Sequence, residues 1–112
     1  MANNYKNKKV DLTSTDVTTL YTCPNATTGL VKSILVSEDS GNADTITVTL
    51  TDAESSPATF SLFKVKAVSA NGTVELLTRD LVINSGEILK VEAATANRLH
   101  VVASILEFTN YR

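Results

Sequence analysis

The sequence predicts an all-β protein, an antiparallel β-sandwich or jelly-roll-like fold of about eight short strands. Three observations carry this. Val, Ile and Thr together make up 33 of the 112 residues, and β-branched side chains fit a pleated sheet better than a helix. Thr45–Thr51 alternates threonine with Ile46, Val48 and Leu50 without a break, the period of a strand with one dry and one wet face. Turn residues recur between the apolar runs, and no run keeps apolar residues at helical spacing for three turns, which is the pattern of a sandwich or barrel.

Val10–Thr13 reads as a first short strand. Val17–Cys23 follows the Ser14-Thr15-Asp16 turn signal and ends at Pro24-Asn25. Leu30–Ser37 is next, with Ile34 and Val36 on one face and Val31, Ser33 and Leu35 on the other. Glu38–Asn42 is a loop before the alternating run, whose Ile46, Val48 and Leu50 point inward and whose Thr45, Thr47 and Thr49 point out. A polar loop over 52–57 leads to Thr59–Val68, apolar on both faces. Asn71-Gly72 then predicts a hairpin, because a type I′ turn needs positive φ at both central residues, with Thr73–Leu77 as the return strand. Leu81–Ile83 and Ile88–Ala93 flank the turn Asn84-Ser85-Gly86-Glu87.

Arg98–Phe108 closes the series, with Leu99, Val101, Ala103 and Ile105 against Val102, Leu106 and Phe108. A strand apolar on both faces is central in its sheet or covered by a partner. Val102, Leu106 and Phe108 are therefore candidates for a subunit interface.

Two segments are expected: a flexible basic arm over 1–9 and a single β-sandwich domain over 10–112. The arm holds Lys6, Lys8 and Lys9 and no acid, while the other 103 residues hold 7 bases against 12 acids. The arm is too polar to order itself by burial. Tyr5 is its one large apolar-bodied side chain and the expected anchor on a partner, with the three lysines pairing with that partner's acids.

A net charge of −2 and a pI of about 5.3 do not suit a nucleic-acid binder held by bulk charge. One cysteine allows no disulfide within the chain and no cysteine metal cage. No apolar run reaches the roughly 18 residues of a membrane span. MANNYKNKKV lacks the apolar core of a signal peptide, so synthesis in a cytoplasm without secretion is expected.

His100 has no second histidine and no nucleophile motif to work with. Cys23 reads as a buried thiol. The four glycines stand alone at turns and build no phosphate loop. Glu38, Asp39, Asn42 and Asp44 could offer oxygens to a cation, but their spacing fits no known calcium loop. Asn25-Ala26-Thr27 and Asn71-Gly72-Thr73 match the glycosylation sequon, and both asparagines read as turn residues. The expectation is a non-enzymatic protein with no catalytic residues, metal or cofactor.

The stretch Leu81–Glu107 runs strand, Asn-Ser-Gly-Glu turn, strand, Ala/Asn-rich turn, and a final strand closing on Glu107. It resembles the C-terminal half of small virion structural proteins of tailed bacteriophages. Cys23–Ile34 is similar to that group's early turn and strand, so the pattern spans roughly residues 17–108. The resemblance implies a virion component and carries over no catalytic residues. Its first expected role is a capsid decoration (cement) protein, a homo-oligomer of trimeric order bound to the major capsid protein on the outside of the head. The alternatives are a neck, tail or fibre-attachment part of the virion, and a carbohydrate- or host-binding module. Absence of Trp weakens the last.

Overall fold

The computed structural model describes residues 2–109. Met1 and residues 110–112, which belong to the expected segments 1–9 and 10–112, lie outside the described residues. Nine strands follow one another: β1 (Ala2–Asp11), β2 (Thr18–Thr22), β3 (Thr27–Glu38), β4 (Asp44–Thr51), β5 (Thr59–Val68), β6 (Thr73–Glu75), β7 (Leu81–Ile83), β8 (Ile88–Ala93) and β9 (Leu99–Thr109). Sheet I has the order β1-β9-β3-β6, with β7 also paired to β3; sheet II has the order β2-β8-β4-β5. All pairings are antiparallel.

The pairs β1·β9, β2·β8, β3·β6/β7 and β4·β5 are nested. The chain runs out to β4, returns along itself, and alternate pairs of the doubled ribbon fall in opposite sheets. This is a jelly roll, in which β6 and β7 share the seventh strand position.

Alternation builds the core. Ile46, Val48, Leu89 and Val91 of sheet II face Val31, Ile34, Val36, Val101, Ala103 and Ile105 of sheet I, all fully buried or nearly so. Leu50 is partly buried against them. Each such aliphatic side chain contributes about 1.5–3 kcal/mol by leaving water.

Three expectations are corrected. Residues 2–9 of the expected arm are not a free segment: they belong to β1, which pairs with β9 from Ala2↔Thr109 to Asp11↔His100. Main-chain donors and acceptors along β9 need partners, and a polar strand satisfies them as well as an apolar one. Val31 faces inward with Ile34, because the register shifts between Val31 and Ser33 at Lys32. A bulge adds one residue and resets the alternation. Asn71-Gly72 joins no hairpin, since β5 lies in sheet II and β6 in sheet I. The turn is one residue earlier: Gly72 N–H donates to the Ser69 carbonyl at 2.9 Å and Asn71 takes the positive φ. β5 carries its apolar residues on both faces without covering them all. It is the edge of sheet II, and Phe60 and Val65 are exposed.

Candidate docking face

The outer face of sheet I gathers most of the residues singled out from the sequence. Register sets it out in cross-strand rows. One row is Tyr5–Leu106–Leu30–Val82, apolar from edge to edge. The row beside it on one side is Asn3–Phe108–Thr28; on the other side the polar row Asn7–Ser104–Ser33 separates it from Lys9–Val102–Leu35–Glu75. Tyr5 is 77 % exposed, Val82 52 %, Leu35 42 % and Val102 37 %. Leu106 is nearly covered by its own chain, and Phe108 is half-buried.

Sheet II presents a different outer face. Thr45, Thr47 and Thr49 of β4 run beside Lys90 and Glu92 of β8. The outer face of sheet II is mainly polar, with Val65 exposed beside Thr47 at its β5 edge, whereas that of sheet I carries the apolar row Tyr5–Leu106–Leu30–Val82.

Of the expected arm residues, Tyr5 and Lys9 join Val102, Leu106 and Phe108 on this face, and Lys6 and Lys8 alternate to the other side of β1. Lys6 has an acid of its own chain beside it. Its Nζ lies 3.2 Å from Glu107 Oε1 of its own chain. Glu107 is buried on the inner side of β9, and Tyr21 Oη donates to its Oε2 at 2.6 Å. Burial, then the bond to Glu107, pushes the Tyr21 hydroxyl far above its ordinary pKa. Gly29 makes room for this ring: a Cβ there would stand 2.8 Å from Tyr21 Oη.

Leu30, Leu35 and Val82 belong to the face and were not singled out from the sequence. Alternation alone sets Leu35 opposite Ile34 and Val36, whereas the side of Leu30 and Val82 is legible only once the Lys32 bulge and the β3–β7 pairing are known.

The acidic loop does not converge on one point. Glu38 accepts from the N–H groups of Ser40 (2.8 Å), Gly41 (3.1 Å) and Asn71 (2.9 Å), and from the Ser40 hydroxyl. Burial opposes its ionisation, but these donors outweigh it and hold its carboxyl down to about 2. Asp44 Oδ2 accepts from Thr95 N–H at 3.1 Å. Asp39 lies 3.6 Å from His100 Nδ1, while His100 Nε2 lies 3.2 Å from Asp11. The two ring nitrogens thus face different carboxylates, and no three ligating side chains meet at a point among the described residues. Cys23 is buried, its thiol donates to the Thr27 carbonyl at 3.3 Å, and burial pushes its pKa up. A thiol in that state is a poor nucleophile.

No family model and no curated protein matches the chain. Solved structures do. A chain from the disulfide-linked pili of Bacillus endospore appendages aligns over 98 % of this chain and 88 % of its own, with a TM-score of 0.59 at 6 % identity. A chain from the acid-stable capsid of Helicobacter pylori bacteriophage KHP30 aligns over 98 % and 90 %, with a TM-score of 0.56 at 12 % identity. At these identities the likeness is one of fold, and a fold hosts many functions.

Proposed function

We propose that this protein is a non-enzymatic structural component of a virus particle, a capsid decoration (cement) protein on the outer surface of the head. The observation that carries the reading is the unequal character of the two outer faces: a threonine-rich one on sheet II, and on sheet I the apolar row Tyr5–Leu106–Leu30–Val82 with Val102 and Leu35 beyond a polar row. The shared fold with a phage capsid chain supports it. The pilus neighbour suggests a polymer, but linking subunits by disulfides in a line takes two reactive cysteines per chain. This chain has only Cys23, and it is buried. In this reading the protein associates with itself and with the major capsid protein, and many copies brace the shell.

The test is the copy number of this chain in purified particles, by gel densitometry against the major capsid protein. Hundreds of copies per particle are expected. Tens of copies would move the protein to the neck or tail, and its absence from washed particles would overturn the virion reading. Particles stripped of it should also release their genome at a lower temperature.

A further inference from the structure

One row on the outer face of sheet I is polarised across the strands, while the next row, Asp11–His100–Ser37–Thr73, sets Asp11 at the β1 edge against His100 of its own chain. In the row Lys9–Val102–Leu35–Glu75, the cation stands at the β1 edge and the anion at the β6 edge. Lys9 makes no ion pair among the described residues. Glu75 Oε2 accepts from Ile34 N–H at 2.9 Å and Leu77 N–H at 3.1 Å, and Oε1 from the Ser33 hydroxyl. That leaves Oε1 room for one more donor.

We infer that this face pairs with the same face of a second copy about a two-fold axis running parallel to the strands in the plane of contact. The inference rests on the reading of this face as the association surface and adds its occupant and its symmetry. Such an axis exchanges the two edges of the sheet at constant height along the strands. Lys9 then meets Glu75 of the second copy, Val102 meets Leu35, Tyr5 meets Val82 and Leu106 meets Leu30, each contact occurring twice. A two-fold across the strands would instead return each edge to itself and leave Glu75 and Lys9 without opposite charges. Strands kept close to parallel across the contact are the aligned packing of two sheets.

Four strands about 4.8 Å apart, over a length of about 30 Å, give a face on the order of 600 Å² per copy. Two such faces bury about 1,200 Å², the lower end of specific interfaces, which suits a dimer of roughly micromolar affinity. The face selects a two-fold pair over the trimer expected from the sequence.

Sedimentation equilibrium of the purified chain tests this, independently of whether it is found in particles. A dimer is expected. Lys9→Glu and Glu75→Lys should each weaken it about tenfold at low salt, and less at high salt. A 1:1 mixture of the two variants should recover near wild-type affinity, because each mixed dimer holds two opposite-charge pairs. Glu75 also holds the β3 backbone, so Val102→Asp provides a second probe, with Thr49→Asp on sheet II as control. Val102→Asp should be monomeric and Thr49→Asp dimeric. A wild-type monomer at about 100 μM, a trimer, a Val102→Asp variant that associates like wild type, or a mixture no tighter than its components would overturn the pairing. If the dimer holds and purified particles lack the chain, only the virion reading falls; if particles hold it and the chain sediments as a monomer, only the pairing falls.

Discussion

Glu107 is a buried carboxylate on the inner side of β9, held by one hydroxyl and one ammonium, and that arrangement sets the energetics of the cluster around it. Tyr21→Phe leaves Oε2 without its 2.6 Å donor. A buried acceptor stripped of its partner costs about 1–3 kcal/mol. Gly29→Ala should cost a similar 1–3 kcal/mol by overpacking, because the new methyl meets Tyr21 Oη at 2.8 Å. The two are not independent: in the Tyr21→Phe background the hydroxyl is gone, and Gly29→Ala should be milder. A urea-melt double-mutant cycle measures this, and strict additivity would refute the contact. Glu38 gives a pH signature. Its folded pKa is about 2, below its unfolded value near 4.3. Its contribution is therefore complete above about pH 4.5 and is lost as pH falls through about 2. The Tm difference between wild type and Glu38→Gln should be constant at neutral pH and shrink across that window. Glu75, also held low by donors, titrates in the same direction.

Strands differ in how openly their side chains announce them. Thr59–Val68, Leu81–Ile83 and Ile88–Ala93 begin and end where the sequence places them, and Thr45–Thr51 is extended by one residue at Asp44. In those last three strands, alternation and turn residues agree. Ala2–Asp11 hides from such a reading because its order comes from the β9 main chain and from Lys6, not from an apolar stripe. The turn at Asn71 was legible as a turn but not as a crossing between sheets, since its direction depends on Glu38, which is 33 residues away and accepts the Asn71 N–H. The docking face was legible in parts. Val102, Leu106 and Phe108 stood out by the two-sided pattern of β9, and Tyr5 as the one bulky group of a polar segment, but only register places them together. The strand character of β1 has a testable consequence. Deleting residues 2–9 removes the edge partner of β9 and takes Lys6 from buried Glu107. The loss should be about 2 kcal/mol or more, lowering Tm by roughly 10 °C. Lys6→Met should reproduce part of it. An unchanged melt after the deletion would mean that the segment contributes nothing to the fold.

The nested order has one consequence for the whole molecule, because it makes the first and last strands neighbours. Ala2 pairs with Thr109 across sheet I, so the two ends of the described chain meet, while the β1–β9 ladder joins residues far apart in sequence. Closing so long a loop costs entropy that rises with its length, and folds dominated by such pairings fold slowly, in milliseconds to seconds. A circular permutant should relieve this. The old ends are joined by a short glycine-serine linker, and new ends are opened in the exposed loop over 53–57 between β4 and β5. The β1–β9 pair becomes a local hairpin, and β4–β5 becomes the pair closed from the chain ends. Shortening the loop about tenfold is worth about 2 kcal/mol. The native contacts are kept, so the gain appears as added stability and Tm should rise by roughly 10 °C. β9 lies between β1 and β3 and supplies much of the buried face of sheet I, so its pairing with β1 is expected in the folding nucleus. Folding should then accelerate by about ten- to thirtyfold with little change in the unfolding rate. Stopped-flow chevrons of the parent and the permutant decide it. An unchanged folding limb with slower unfolding would show that β1 docks after the barrier, as a late-closing edge.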